Sequence, residues 1–296
     1  MTFSFKNSFN NSIKSSLIIL KLVIPIYILA DLLFYYNILE SLSFIFSPIT
    51  SFLNLPNESA MAIITGIFLN LYAAIAFAAP LGLTPKEWTI MGVFLGICHA
   101  MIVETAIMKK LGISVTYSIF LRTFVGLLVA YLVSLLPNSL FSNESILNFN
   151  TPVINHYNSL KEMLIDSLLN SLYLSMQIIL LITIIIFILD YIKSLEIVQK
   201  YSSKVNSSFS ITIGVVLGIT YGAGILINEF NKGNLKQKDI LYIGTFLMIA
   251  HSLIEDPLLF VIFGANLWII ISSRLIFAII ISYLATRFIK AKKNEK

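Results

Sequence analysis

IMGVFLGICHAMIVETAIMKKLG, residues 90–112, recurs without a gap as YIGTFLMIAHSLIEDPLLFVIFG, residues 242–264. The register is constant. His251 follows His99 by 152 positions, and the same offset pairs Gly66 with Gly218, Lys86 with Lys238, Gly92 with Gly244, Glu104 with Asp256, Gly112 with Gly264, Arg122 with Arg274 and Tyr131 with Tyr283. Apolar matches carry little weight in a chain rich in Ile and Leu. The chain has three histidines and three arginines, however, and two of each fall on this register. Upstream the offset becomes 159, pairing Asn11 with Asn170, Ser12 with Ser171, Ser16 with Ser175 and Asp31 with Asp190, so the first half carries extra residues near SPITSFLNLPNES, 47–59. Self-similarity at a fixed offset marks a duplicated unit.

Around this duplication the chain is apolar almost throughout. It is 57% hydrophobic and 12% charged, with a mean hydropathy of +0.89, whereas a soluble domain carries about 25% charged residues. Apolar runs of about 20 residues, the length a helix needs to cross the hydrocarbon, recur from end to end. The expectation is a single membrane domain over 1–296: repeat one at 11–136, a polar linker at 137–162 and repeat two at 163–290. The basic, apolar start lacks a small-residue cleavage site and reads as a retained first span. Cys98 is the single cysteine, which excludes an internal disulfide framework and argues against thiolate metal binding. The net charge of +5 sits mainly at segment ends, where it sets topology, and gives no reason to expect nucleic acid as a partner.

Each half divides into a first span (16–36 and 166–190), a second span (60–80 and 210–230), the His/carboxylate segment (88–110 and 239–263) and a last span (113–136 and 265–288). If the His/carboxylate segment crosses fully, each half has four spans and the repeats are parallel; if it turns back, each half crosses three times and the repeats are inverted. Pro257 favours a helix break beside Asp256, and Gly112 and Gly264 permit sharp turns. Basic residues nearly tie. The inverted arrangement leaves Lys161, Lys232, Lys236 and Lys238 outside, the parallel one Lys109, Lys110, Lys193, Lys200 and Lys204. The linker from 137 to 160 has no Lys or Arg, as suits an outside loop. The predicted fold is therefore an all-α polytopic membrane protein of two inverted repeats, each with three full spans plus a broken, re-entrant His/carboxylate segment. Both termini are expected in the cytoplasm and the chain in the cell membrane, in contact with lipid.

Arg122 and Arg274 lie too deep in their spans for easy snorkelling and need partners. Glu104, Glu255 and Asp256 are the anions at comparable depth, so each repeat supplies a histidine, a carboxylate and an arginine. Two accounts stand side by side. Either these groups are structural charge pairs that hold the helices in register, or they form a central site for an anionic or hydroxyl-rich solute with a coupling proton. Asn70 and Tyr72 in the first half, and Asn228 and Glu229 toward the end of the second span of the other half, are further candidates for the solute path. Asp31 and Asp190 near helix ends read as solvated or capping groups.

His99 and Glu104 are five residues apart, about 140° around an ideal helix, so they cannot face the same way unless the helix breaks. That spacing argues against a metal site, and no cofactor is expected. The chain has no HExxH pair, Cys/His cluster, Walker loop or GxSxG elbow, so an enzyme is not expected.

FLNLYAAIAFAAPLGLTPKEWTIMGVFLGICHAMIVETAIMKKLG, 68–112, resembles the signature region of the bacterial nucleoside recognition, or Gate, membrane proteins. Their relatives include the spore maturation membrane proteins and the gate segments of ferrous iron transporters. NLYAAIA, the LTPKE turn and HAMIVETAIMKKLG carry the likeness. It implies a Gate-type transporter-like domain in the cell membrane, and the leading expectation is a secondary transporter or permease moving a small polar or anionic solute. A non-transporting membrane protein that assembles with copies of itself or with partner proteins is the alternative.

Overall fold

The computed structural model describes residues 3–36, 38, 47–141, 157, 159–195 and 236–294. Among these residues all regular structure is helical. α1 (Phe5–Tyr35) is followed by a short helix, α2 (Ser47–Phe52), and by two more, α3 (Ala60–Phe68) and α4 (Leu71–Ala78). Then come α5 (Pro85–Cys98), α6 (Met101–Lys110), α7 (Val115–Ser134), α8 (Leu160–Ser194), α9 (Gln237–Ala250), α10 (Glu255–Val261) and α11 (Leu267–Asn294). With α5–α6 and α9–α10 each taken as one passage, six helices among the described residues are long and apolar enough to cross a membrane. The chain is a polytopic all-α membrane protein.

Local sequence explains where these helices start. Thr84 accepts from the Glu87 N–H while Glu87 reaches back to the Thr84 N–H, and Pro85 occupies the first turn, where its missing N–H costs nothing. Ser114 and Ser159 cap α7 and α8 with their side chains. Gly112 and Gly264, at φ 80° and 89°, make the left-handed turns that end the two His/carboxylate segments.

The burial pattern sorts the helices into shells. In the most apolar windows, 72% of residues are buried in α5–α6 and 83% in α9–α10, against 28%, 39%, 33% and 22% in α1, α7, α8 and α11. The two duplicated segments thus form the centre. The outer helices turn side chains such as Phe120, Phe124, Met176 and Ile276 outward, as lipid contact requires.

Contacts fix the directions. Lys86 Nζ donates to the Leu136 carbonyl (2.8 Å), the Asn266 N–H to Thr89 Oγ1 (2.9 Å), and Asn54 Nδ2 to Ser134 Oγ (2.9 Å). Trp88 stacks on Phe263 with ring centres 4.2 Å apart. The start of α5, the end of α7 and the α10–α11 turn therefore share one end of the bundle. At the other end Ile113 lies against Gly244, and the Tyr117 and Thr245 hydroxyls are 2.8 Å apart. The α5–α6 passage consequently runs opposite to α9–α10.

These contacts revise the expected turn-back. On α7, Arg122 lies beside residues 97–99, while Thr105 of α6 is 3.3 Å from Ser118, one turn farther along. The chain thus continues past the break, and the His/carboxylate segment is a broken helix long and apolar enough to cross. The turn-back is in the preceding segment. Gly66 of α3 lies against Ala74 of α4, so 60–81, expected as a full span, folds as a helical hairpin with its corner at Leu69–Asn70. Its counterpart, 210–230, lies outside the described residues, as does most of the 137–162 linker.

α1 and α8 pack antiparallel along a stripe of small residues. Ser167 Oγ donates to Asp31 Oδ2 (2.5 Å) and Ser8 Oγ to Asp190 Oδ2 (2.9 Å). Asp31 is buried, not the solvated end group its position suggested. Ser8 and Ser167 are 159 positions apart, like Asp31 and Asp190, so each helix offers its serine to the other's aspartate.

Candidate functional site

Both central passages break directly after a histidine. α5 ends at Cys98 with His99 extended (φ −67°, ψ 163°), and α9 ends at Ala250 with His251 extended (φ −89°, ψ 162°). Ala100 and Ser252 follow at φ 44° and 49°. For residues with a Cβ this is a left-handed conformation that surrounding contacts must hold in place. Pro257, expected to cause the second break, sits within the first turn of α10, where proline is tolerated. The first break contains no proline at all.

What holds the breaks open is arginine. Ending a helix inside a membrane orphans carbonyls that water cannot satisfy. Arg122 Nε donates to the Ile97 carbonyl (2.7 Å) and Nη2 to that of His99 (2.6 Å). Arg274 Nε donates to Ile249 (3.0 Å) and Nη2 to His251 (2.7 Å), 152 positions on. The N–H of Ala100 is taken by the Gly66 carbonyl of the hairpin at 3.0 Å. Each of the two arginines, placed by sequence among solute ligands, thus spends Nε and Nη2 on the backbone, while its Nη1 has no hydrogen-bond partner among the described residues.

The break also changes the meaning of the five-residue spacing. His99 and Glu104 now meet, with Nε2 3.1 Å from Oε1, so the 140° separation that argued against a shared site does not apply. His251 Nε2 reaches the same oxygen at 3.2 Å, and the imidazole centres are 5.2 Å apart. Glu104 Oε2 faces Arg122 Nη2 at 2.8 Å. Each His Nδ1 lies 2.8 Å from a backbone carbonyl, Leu95 for His99 and Leu247 for His251. All of these groups are buried: His99 9% exposed, Glu104 5%, His251 2%, Arg122 and Arg274 0%.

The remaining candidates divide. Asp256 Oδ2 is 3.6 Å from Arg274 Nη1. Glu255 Oε1 accepts from the Tyr72 hydroxyl at 3.0 Å, tying the first-half hairpin to the second break. Asn70 accepts from the Ala73 N–H at 3.0 Å and caps α4 at the hairpin corner, a structural task. Asn228 and Glu229 lie outside the described residues. Sequence reading missed the part played by Gly96: a Cβ there would sit 2.8 Å from Arg274 Nη1, so this glycine gives the arginine of the second half its passage. Nothing in the repeat register marks it, since position 248 is Met.

Among the described residues His99, Glu104 and His251 bring one ligand atom each to within 4.8 Å of the others. Two imidazole nitrogens and a carboxylate oxygen at these distances can share a proton or hold a cation.

No family profile matches the chain, and no solved structure matches it. The chain is similar to the uncharacterized membrane protein YvoD of Bacillus subtilis (strain 168), with 24% identity over 273 residues that cover 88% of this chain and 87% of that protein.

Proposed function

We propose that the chain is a secondary transporter of the Gate type, built from two inverted repeats, that moves a small polar solute or ion through the junction of its two broken helices. One observation carries the reading: two interrupted passages run in opposite directions, and their breaks meet on a single polar cluster. Discontinuous helices facing each other near the midplane are how many secondary transporters build a site that opens to either side. With Nε and Nη2 of each arginine spent on backbone carbonyls and a carboxylate facing each guanidinium, a polar or cationic solute fits better than an anionic one. The likeness of NLYAAIA, LTPKE and HAMIVETAIMKKLG to the Gate proteins agrees with this reading.

The broken passage and the hairpin also support one side for most of the basic residues. With each repeat crossing three times, Lys6, Lys14, Lys109, Lys110, Lys236, Lys238 and Arg287 fall toward one side, and Lys86 and Lys161 toward the other. The rule that cytoplasmic ends are rich in Lys and Arg then supports both termini on the cytoplasmic side.

The test is flux in proteoliposomes, with nucleosides, nucleobases, organic ions and divalent metal ions as trial solutes. Wild-type protein is expected to move at least one class, and Glu104→Gln to abolish that uptake. In a Cys98→Ser background, Ala100→Cys should react with an impermeant maleimide to an extent that changes with solute. No flux, together with no labelling from either side, would make the cluster a static lock and favour a protein that assembles with partners.

A further inference from the structure

We propose that His99 Nε2, His251 Nε2 and Glu104 Oε1 form a binding site for a divalent first-row transition-metal ion. This deepens the transport reading by naming the class of ion the junction takes, and it starts from hydrogen-bond bookkeeping. A backbone carbonyl offers only lone pairs, so the 2.8 Å contacts to Leu95 and Leu247 place a hydrogen on Nδ1 of each histidine. In the neutral ring Nε2 then carries a lone pair, and both lone pairs point at a carboxylate oxygen. Nε2 of His251 has Glu104 Oε1 beside it at 3.2 Å, and its residue is 2% exposed. Three acceptors that converge in a buried place require a positive charge among them, which a proton on one Nε2 or a metal ion supplies; of the two, a metal ion engages all three atoms at once.

The geometry suits a metal ion. Bonds of about 2.0–2.2 Å at tetrahedral angles separate ligand atoms by about 3.3–3.5 Å; the His99 and His251 nitrogens stand 3.1 and 3.2 Å from Oε1. All three ligand atoms lie within 4.8 Å of one another, so binding draws the two imidazoles together about the shared carboxylate oxygen. Its supports are those of a metal centre: each imidazole is oriented through Nδ1 by a carbonyl, and the other oxygen of Glu104 is fixed by Arg122 at 2.8 Å. Charge agrees as well. Glu104, Glu255 and Asp256 outnumber Arg122 and Arg274 by one, so a divalent ion among neutral imidazoles changes the sign of the local charge without adding to its magnitude. Two nitrogen ligands select zinc-like or iron-like ions over Mg²⁺ and Ca²⁺, which take oxygen.

The experiment uses the full chain, purified in detergent and stripped with a chelator, titrated calorimetrically with Zn²⁺ and followed optically with Co²⁺. One ion per chain is expected, with a Co²⁺ spectrum of mixed nitrogen and oxygen ligands and no competition from excess Mg²⁺. His251→Asn keeps an amide N–H where Nδ1–H stood and removes Nε2, so it should weaken Zn²⁺ binding about 100-fold or more while the elution profile stays monodisperse; Glu104→Gln should weaken it comparably. Absence of stoichiometric binding in wild type, or undiminished binding in a monodisperse His251→Asn protein, overturns the metal site. If both variants fail to fold, the wild-type Co²⁺ spectrum decides by the presence or absence of nitrogen ligands. Binding without flux would refute transport alone, and flux of another solute without binding would refute the metal site alone.

Discussion

The breaks at 97–104 and 249–256 share one skeleton, and their aligned carboxylates, Glu104 and Asp256, differ by one methylene. In both, a histidine ends the helix, a left-handed residue turns the chain, and an arginine 23 positions after that histidine closes on two orphaned carbonyls. Glu104 then spans Arg122 and both histidines, whereas Asp256, in the equivalent position, stays 3.6 Å from Arg274 and contacts neither ring. The skeleton is thus a matter of satisfying backbone in lipid, which both halves must do. The chemistry is concentrated in one carboxylate, which needs only one half. The two similar frames carry different carboxylates, and only Glu104 reaches both imidazoles.

The largest effect should come from attacking the skeleton. Removing one member of a buried ion pair costs about 3–5 kcal/mol, because the other is left charged and unpaired. Arg122→Met strands two carbonyls and also Glu104, which lies 2.8 Å away. Arg274→Met strands the same kind of carbonyls, but its carboxylate was loosely held at 3.6 Å. Both should lower the thermal midpoint of the detergent-purified protein, Arg122→Met more steeply. Equal losses would mean that the carbonyl clamps outweigh the carboxylate and that the asymmetry is energetically silent.

A smaller effect separates two glycines. Gly96→Ala puts a Cβ 2.8 Å from Arg274 Nη1, and that guanidinium cannot retreat, being bound to Ile249 and His251. Overpacking of this kind costs about 1–3 kcal/mol. Gly244→Ala meets the Cδ1 of Ile113, the far end of a side chain that can change rotamer, and it gains up to about 1 kcal/mol of helix propensity. Thermal unfolding should therefore show a loss for Gly96→Ala and little change for Gly244→Ala. A reversed order would place the tight crossing at the wrong helix.

Much of this was legible in the sequence, for identifiable reasons. Long apolar runs can only be membrane helices, and rare residues on a fixed register expose a duplication, so His99, His251, Glu104, Arg122 and Arg274 could be singled out together. Where the chain turns back could not be read. A span and a hairpin have the same apolar composition, and the corner at Leu69–Asn70 is fixed by an asparagine cap and by the Gly66 carbonyl taking the Ala100 N–H, both set by packing. The break after His99 was equally hidden: Ala100 is a helix former locally, and its φ of 44° exists because Arg122 and Gly66 collect the freed backbone groups. Pro257 was the visible breaker, yet it marks only a first helical turn.

That hidden strain gives the smallest and most diagnostic substitution. An L residue in the left-handed region costs about 1–2 kcal/mol, and glycine removes that cost while giving back about 0.5–1 kcal/mol through the freedom of the unfolded chain. Ala100→Gly should therefore raise stability slightly, by less than about 1 kcal/mol, and Ser252→Gly should do likewise, since φ is 44° at one and 49° at the other. Thermal midpoints of the two variants check this. A gain at both positions means that the two breaks are held in the same way, by contacts outside the strained residue. If only Ser252→Gly gains, the Ala100 side chain contributes to the first break, and the two frames differ in their skeleton as well as in their carboxylate.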